Sequence, residues 1–445
     1  MATLETPTVL SARRTFPWLS EFARQQIREY APTVLTELAV MGCQILVYKL
    51  AAHYLGNIGF SEYALVRRTV TLMMPIPILG LSIGLPRYIS YSKGRNDSEA
   101  ADRYYGGTLW CAGFGAAICF VLINSFSGVF GYLFFGSRNY AILSFPMSLM
   151  ILGLCAHTVA CGYFRGHMQL NRANALQFIN LACLPILAFV FAHGSLRTLL
   201  LVIGSFWIAI STIALCFTPL GAIAKSGTKE IRQLLKYGIQ RIPGDFILGA
   251  IFTLPATFIA HLQGVREAGF VAFGISVVSM IGGIFAPASL VLLPKATLLL
   301  AEGARKKLWI HLRPILTTTA VASVMMSALI WWLVPNLIRL YLGPGFETVV
   351  PIVRFLVLGA LPYSLYLILR NLVDAYHEHG VTAVILSVGL LVLIVGGYVG
   401  RGLSDATLGI LSAFLLTQVV IAALSGIECY RILSDTNNQR WSCRR

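Results

Sequence analysis

The sequence predicts an all-α protein that crosses a membrane about twelve times, arranged as two similar six-helix halves. Two observations predict this fold class. Of the 445 residues, 57% are hydrophobic and only 12% are charged, and the mean hydropathy is +0.76, far from the balance of a soluble domain. The apolar residues also form unbroken runs long enough to cross about 30 Å of hydrocarbon, unlike the alternating pattern of membrane β-strands.

The runs divide into two sets of six. The first set lies at about 32–54, 63–87, 106–127, 140–164, 175–193 and 198–220, and the second at about 240–262, 268–293, 314–335, 350–371, 381–399 and 407–429. The longest connection, about Pro294 to Arg313, has no room for a soluble catalytic domain. We therefore expect a protein that is not an enzyme and that works through its helical bundle.

The two sets are similar in sequence, which indicates an internal duplication. A shift of 208 residues aligns Glu37 with Asp245, and it also aligns Ala52-His53-Tyr54-Leu55-Gly56 with Ala260-His261-Leu262-Gln263-Gly264 and Leu85-Pro86-Arg87 with Leu293-Pro294-Lys295. Six spans is an even number, so the halves have the same orientation and are related by an axis along the membrane normal. We place the boundary in the basic linker near residues 221–228, which gives lobes of residues 1–220 and 221–445. A cleft between such lobes is where a transporter holds its cargo.

The distribution of lysine and arginine predicts the orientation. If both termini are cytoplasmic, the inner segments hold 24 of the 34 basic residues and the outer loops hold five. This positive-inside bias predicts a multi-pass protein of the cytoplasmic (inner) membrane with both termini cytoplasmic. Together with attraction to anionic membrane lipids, it explains the net charge of +16 without nucleic acid as a partner.

Backbone breaks and flanking helices are also predicted. Residues 18–30 and 228–237 precede the first span of each half, and we interpret both as interfacial helices on the inner leaflet. Pro75 and Pro77 interrupt the second span, and Gly282-Gly283 with Pro287 interrupt the eighth at the matching depth. Because each weakens the helical hydrogen-bond ladder, we expect a bend at both places, either a static kink or a moving hinge.

No metal or cofactor is expected. The nine cysteines are scattered, mostly inside the spans, without CxxC spacing or an outer-loop pair. His377-Glu378-His379 resembles a ligand cluster, but it falls in a short cytoplasmic turn, where a solvated loop is the simpler interpretation.

Ionisable residues inside the spans are the candidate functional groups, because a charge in the membrane needs a partner, a wet cavity or a role. Glu37, Arg241 and Asp245 lie about two turns inside the cytoplasmic face. Arg241 and Asp245 are four residues apart, which favours an ion pair on one helix face. If Glu37 and Asp245 both face the cleft, they form a candidate proton or sodium site for ion coupling. The alternative is a structural salt bridge that pins the two halves together.

A second group of charges lies near the outer side. Arg67 and Arg68 point about 100° apart on a helix, so only one can face the lumen squarely and the other snorkels to the outer headgroups. Lys49 is twelve residues beyond Glu37, about 18 Å along the axis, and needs another partner, either Glu62 or a bound anion. We predict that Lys49 and the lumen-facing arginine bind an anion.

Two segments carry a family resemblance. They are Leu79-Gly80-Leu81-Ser82-Ile83-Gly84-Leu85-Pro86-Arg87-Tyr88, which closes the second span, and Leu235-Lys236-Tyr237-Gly238-Ile239-Gln240-Arg241-Ile242-Pro243-Gly244-Asp245, which opens the second half. Both resemble polysaccharide and O-antigen flippases of the multidrug/oligosaccharidyl-lipid/polysaccharide (MOP) exporter superfamily. The resemblance covers essentially the whole chain, since the span count, the duplication and the predicted cytoplasmic termini match too.

The resemblance implies a MATE/MOP-like fold and a flippase function. The cargo would be a polyprenyl-pyrophosphate-linked oligosaccharide, moved from the inner to the outer leaflet by alternating access through a cationic lumen. Lys49, Arg67, Arg68 and Arg241 match such a lumen as substrate-binding residues, because cationic side chains bind phosphate oxygens well. Membrane lipids, a coupling H⁺ or Na⁺, a glycan polymerase and assembly proteins are the other expected partners.

Two rival functions remain open at the level of sequence. A cation-coupled multidrug exporter would have the same fold, although a cationic lumen suits anionic cargo better than cationic drugs. An integral-membrane polysaccharide ligase or polymerase would also use a lipid-linked sugar, but such enzymes usually carry a large outer loop with catalytic residues, and none is visible in the sequence.

Overall fold

The computed structural model describes residues 17–377 and 380–434, apart from the side chains of residues 17–30, 289–291, 294 and 301. Within these residues every regular element is a helix, as predicted. The α-helices are α1 (Pro17–Met73), α2 (Pro75–Ile78), α3 (Leu81–Gly94), α4 (Ser98–Ser125), α5 (Ser127–Phe135), α6 (Ser144–Gly166), α7 (Leu170–Phe178), α8 (Leu184–Phe191), α9 (Leu196–Cys216), α10 (Ala222–Lys225), α11 (Thr228–Ile239), α12 (Ile242–Gln263), α13 (Val265–Gly283), α14 (Ala288–Ala301), α15 (Arg305–Tyr341), α16 (Val349–Leu356), α17 (Ala360–Tyr376), α18 (Val381–Gly400) and α19 (Ala406–Ser434). Turns of 3₁₀-helix lie at Arg138–Leu143 and Val357–Gly359, and a π-helical turn lies at Ile179–Cys183.

Eleven helical segments of the described chain are long and apolar enough to cross a membrane, one fewer than predicted. The difference lies in the first segment, Ala31–Ile78, which has 48 residues. A straight helix of that length would extend about 70 Å, more than twice the hydrocarbon thickness. It is broken at Gly56, where φ is 64° and ψ is −170°. The segment therefore contains the first two predicted spans, and the protein is a multi-span integral membrane protein.

The break at Gly56 recurs in the second half. Gly264, which is 208 residues later, separates α12 from α13 with φ 95° and ψ 177°. Residues with a side chain rarely adopt such a combination of backbone angles, whereas glycine adopts it readily. The duplication is therefore present in the backbone as well as in the sequence, and the halves form the predicted parallel repeat.

The predicted bends are present in both halves. After α2, Leu79 and Gly80 have positive φ values of 52° and 69°, and α3 begins at Leu81. In the second half, α13 ends at Gly283 and α14 begins at Ala288.

The predicted helix at 228–237 is α11, and it packs on the first half. Leu234 of α11 is fully buried. Its Cδ1 atom packs against Gly107 of α4, 3.1 Å from the position that a Cβ at Gly107 would take. The Arg103 guanidinium of α4 donates from Nε to Glu230 Oε1 of α11 at 3.1 Å. One face of α11 is therefore covered by protein, while its position on the inner leaflet and the lobe boundary at residue 220 stay predictions.

Candidate functional site

The two segments that carry the family resemblance contact each other. A Cβ at Gly80 would lie 2.9 Å from the Gly238 carbonyl oxygen and 3.3 Å from Arg241 Cβ, so only a glycine allows the break after α2 to approach α11 this closely. Further along α3, the Arg87 guanidinium carbon lies 5.2 Å from the centre of the Tyr237 ring. The bend in the second span thus sets α3 against the end of α11.

A cavity of about 710 Å³ lies beside this contact. Arg87, in the middle of α3, forms its wall from the first half, and the ends of α11, α12, α17 and α18 form the rest. Its lining includes Arg87, Tyr237, Gln240, Arg241, Asp245, Arg370, Asp374, His377 and Thr382. We call it the central cavity. The face of the protein at which it lies carries Arg87, Arg241 and Arg370 and is called the basic face.

Tyr237 holds two arginines at the wall of the central cavity. The Arg241 guanidinium carbon lies 5.9 Å from the Tyr237 ring centre, and Arg241 Nη1 donates to the Tyr237 hydroxyl at 3.4 Å. Arg87 stacks on the same ring. Within the described part of the chain, neither arginine has a carboxylate within ion-pair distance. The cavity therefore contains two guanidinium groups with unneutralised charge.

The ion pair expected between Arg241 and Asp245 is not formed. Asp245 Oδ1 lies 3.7 Å from Nη2 of Arg370 instead, and Arg370 also pairs with Asp374 through Nε and Oδ2 at 3.2 Å. The reason is local: α12 begins at Ile242, so Arg241 only caps the helix and its side chain turns toward Tyr237. Asp245 therefore pairs with Arg370, which also pairs with Asp374, and not with Arg241.

Arg68 lines a second cavity that continues inward from the first. This deep cavity has about 440 Å³ and shares Asp245 with the central cavity. Arg68 Nη2 donates to Ser276 Oγ at 2.8 Å and to Ser279 Oγ at 3.3 Å, and its guanidinium lies 6.0 Å from the Phe252 ring centre. Phe252 is seven residues beyond Asp245 on α12, so Arg68 lies about 10 Å deeper than Asp245.

Arg67 faces a different space. It lines a cavity of about 170 Å³ together with Gln44, Tyr63 and Trp207, inside the first half, and its guanidinium carbon lies 5.3 Å from the Tyr48 ring centre. Of the adjacent pair, Arg68 is thus the one that faces the space between the halves. Arg67 does not extend to the outer headgroups, because Tyr48 and Tyr63 hold it in the first half.

Lys49 and Glu37 line none of these three cavities. Lys49 is exposed, and neither residue takes part in an ion pair within the described ranges. Glu62, one of the two partners considered for Lys49, does not form an ion pair with it. The structure therefore brings Arg241, Asp245 and Arg68 to connected cavities and leaves Lys49, Arg67 and Glu37 apart from them.

The two halves touch directly on the face opposite the basic face. Asn57 Nδ2 donates to the Gly345 carbonyl at 2.8 Å, and Ser61 Oγ donates to the Arg266 carbonyl at 2.8 Å. These contacts join the first half to the second at the end of the molecule remote from the central cavity. The space between the halves is thus closed on this face.

Sequence reasoning missed three groups in the central cavity: Arg87, Arg370 and Asp374. Both arginines contribute to the basic bias of the inner segments, and Arg87 also lies in the repeat alignment and in the first family-resemblance segment, but neither was predicted to line a binding cavity. The spacing of Arg370 and Asp374, four residues on one helix, was a usable signal for an ion pair. In the segment His377-Glu378-His379, which we interpret as a solvated loop rather than a metal site, His377 Nε2 lies 2.9 Å from Glu428 Oε1. Glu378 and His379 lie outside the described residues.

Solved structures similar to this one include MATE transporters. The inward-facing conformation of a multidrug resistance MATE family transporter of the MOP superfamily matches with a TM-score of 0.75 and 12% identity, over 91% of this chain and 100% of that one. The eukaryotic MATE transporter AtDTX14 matches with a TM-score of 0.67 and 13% identity, over 94% and 97%. A MOP superfamily transporter from Pyrococcus furiosus, whose binding pocket is described as having reverse polarity, matches with a TM-score of 0.65 and 14% identity, over 92% and 96%. A search of curated proteins gives no match.

The fold is therefore that of the MATE/MOP class of membrane transporters. Residues 28–297, more than half of the chain, match the family model described as polysaccharide biosynthesis protein. The chain belongs to this polysaccharide biosynthesis family, which confirms the family predicted from the two sequence segments.

Proposed function

We propose that the protein is a flippase that moves a polyprenyl-pyrophosphate-linked oligosaccharide from the inner to the outer leaflet of the cytoplasmic membrane by alternating access. The observation that carries this proposal is the pair of arginines at the central cavity, Arg87 and Arg241, which stack on Tyr237 without a carboxylate partner in the described residues. Membership of a polysaccharide biosynthesis family supports a glycan-linked cargo.

The charges of the cavities suit a diphosphate. Guanidinium groups bind phosphate oxygens through charge-assisted hydrogen bonds, often two at a time. Arg370 is already engaged by Asp245 and Asp374, so Arg87 and Arg241 would make the first contacts with the cargo. Arg68, about 10 Å deeper, would take over the phosphates as they move inward from the central cavity.

The arrangement of the halves supports alternating access. The central cavity lies at the basic face, and the contacts of Asn57 with Gly345 and of Ser61 with Arg266 close the opposite face. If the basic face is cytoplasmic, as the positive-inside bias predicts, this is a state that loads cargo from the inner leaflet. Separation of the opposite-face contacts and closure around Tyr237 would release it outward.

Ion coupling belongs to the same proposal. Asp245 pairs with Arg370 in this loading state. A carboxylate in an ion pair is ionised, which is the form that Asp245 would have after it releases its cation toward the basic face. A proton or Na⁺ bound from the other side would neutralise Asp245 and free Arg370 for cargo phosphate. Glu37, at the matching position of the first half, is the second candidate carrier of the coupling ion.

A cation-coupled multidrug exporter is the second candidate, because the similar solved structures include multidrug resistance transporters. Its cargo would be cationic, and the two functions therefore differ in the charge of the ligand. Competition between a soluble short-chain prenyl diphosphate and a lipophilic cation such as tetraphenylphosphonium, measured on the purified protein, distinguishes them. We expect the diphosphate to bind and Arg87→Gln with Arg241→Gln to abolish binding. Binding of the cation alone would favour the exporter.

A further inference from the structure

A groove on the outside of the second half shares no lining residue with the three cavities described so far. Helices α15 and α19 both pack against α17 but make little contact with each other, and the gap between them has about 890 Å³. Its floor is formed by Leu312, Leu369 and Cys429, which are all buried. Its rim is formed by exposed apolar side chains, Ile310 at 67% and Tyr430 at 73%.

One end of the groove is strongly basic. α15 begins with Arg305, Lys306 and Lys307, and the first two of these line the groove. The start of a helix of 37 residues also presents the positive end of its dipole. Trp309, one turn further along α15, lies between the charged end and the apolar length of the groove, where the amphipathic indole ring is favoured at a membrane interface.

We infer that this groove is a binding site for an anionic glycerophospholipid of the leaflet at the basic face. The phosphate would lie at Arg305 and Lys306, and an acyl chain would follow the apolar walls past Ile310 and Leu316. Such a ligand matches the groove in charge and in polarity: its anionic headgroup would lie at the basic end, and its acyl chain would pack against the apolar side chains of the walls.

The occupant is distinct from the cargo, because α17 separates the two spaces. Leu365 and Leu369 of α17 face the groove, whereas Arg370 and Asp374 of the same helix face the central cavity. A lipid in the groove therefore contacts one side of the helix whose other side carries the Arg370 ion pairs. It would hold α17 in place without entering the cargo route, and the inference does not depend on the identity of the cargo.

The test uses native mass spectrometry of the delipidated full chain, titrated with dioleoyl phosphatidylglycerol or with dioleoyl phosphatidylcholine as the neutral match. We expect one phosphatidylglycerol to bind at least tenfold more tightly than phosphatidylcholine. Lys306→Ala with Lys307→Ala should remove that preference, whereas Lys225→Ala, an exposed lysine at the end of α10, should keep it. Equal affinity of the wild-type protein for the two lipids would overturn the inference.

A groove-blocking variant gives an independent readout. A Cβ at Gly426 would meet only Leu369 Cδ1, at 4.0 Å, and Gly426 lines the groove. The side chain of Gly426→Phe should therefore occupy the groove and lower phosphatidylglycerol affinity at least tenfold. Gly113→Phe, at an open helical position of α4, is the matched control. Unchanged lipid affinity in Gly426→Phe contradicts the site. If the wild-type protein is a dimer and Gly426→Phe makes it a monomer without loss of lipid, the groove instead binds a second copy of the chain, and the inference is wrong.

Discussion

Arg68 donates a hydrogen bond to Ser276, the residue 208 positions later in the chain, at 2.8 Å. The two residues are equivalent under the duplication, and equivalent residues can touch only where the two-fold axis passes between them. Ser61 and Gly269, also 208 apart, meet in the same way, since a Cβ at Gly269 would lie 2.2 Å from Ser61 Cβ. The axis therefore runs between α1 and α13. Only one arginine, Arg68, lies beside it, because the equivalent residue of the second half is Ser276.

Arg68 and Arg67 should contribute unequally to transport. Arg68 lines the deep cavity between the halves, whereas Arg67 lines the separate cavity inside the first half. A hydrogen bond to a charged group contributes about 1.5–3 kcal/mol, so we expect Arg68→Gln to slow transport of a diphosphate cargo about tenfold or more. Arg67→Gln should slow it less, when both are measured at equal protein content in the same vesicles. A larger loss for Arg67→Gln would show that the cargo enters the first-half cavity.

The paired glycine breaks give a prediction about stability. Gly56 has φ 64° and ψ −170°, a region that side chains occupy at a cost of roughly 1–3 kcal/mol. Nothing lies within 4 Å of a Cβ at this position, so Gly56→Ala tests backbone strain without a clash. We expect a lower Tm for Gly56→Ala in detergent. Gly113→Ala, in regular helix and equally open, should not lower the Tm, and equal effects of the two changes would contradict the strain.

Ion coupling can be tested at the duplicated acids. A membrane potential supplies about 2.3 kcal/mol per charge per 100 mV, which could drive outward movement of an anion, but the emptied carrier must still return. If a cation enters at Asp245 or Glu37 during that return, Asp245→Asn and Glu37→Gln should abolish the response of transport to an imposed proton or sodium gradient.

Asp374→Asn is the matched control for the coupling test. Asp374 pairs with the same arginine as Asp245, but it does not share the repeat position of Glu37 and Asp245. Its loss should reduce the rate while leaving the gradient response in place. If Asp245→Asn and Glu37→Gln fold normally and keep the wild-type gradient response, these acids are structural.

The proposed direction of transport depends on the orientation in the membrane. Single cysteines introduced at Asn57 and Arg401 should react with a membrane-impermeant maleimide in intact cells. A cysteine at Lys306 should react only after permeabilisation, because the basic segments are predicted to be cytoplasmic. The reverse pattern would invert the assignment of the basic face and with it the direction of export.

The fold could be predicted from the sequence because its main determinants are local or repeated. Unbroken apolar runs identified the spans, and the repeat alignment placed Gly56 on Gly264, although only the structure shows that both residues break the helix. Only the segment count differed, since Gly56 breaks the first segment with a single residue and the helical hydrogen-bond pattern resumes directly after it.

The site was only partly predictable, because its contacts join distant parts of the chain. Arg241 and Asp245 were recognised from their place in an apolar span, but spacing along the sequence could not show that Arg370, 125 residues after Asp245, is the partner. The choice between Arg67 and Arg68 depended on where α13 lies, since Ser276 and Ser279 attract Arg68. Periodicity fixes the angle between neighbouring side chains and leaves open which of them faces the other half.

The flippase proposal is tested most directly by leaflet reversal of a fluorescent polyprenyl-diphosphate oligosaccharide in proteoliposomes, followed by quenching from the outside. We expect the wild-type protein to translocate the lipid, Arg87→Gln with Arg241→Gln to reduce the rate tenfold or more, and Arg197→Gln, at an exposed position outside the cavities, to leave it unchanged. Absence of reversal by folded wild-type protein, or a wild-type rate in the double variant, would contradict a flippase that holds its diphosphate cargo at Tyr237 between these two arginines.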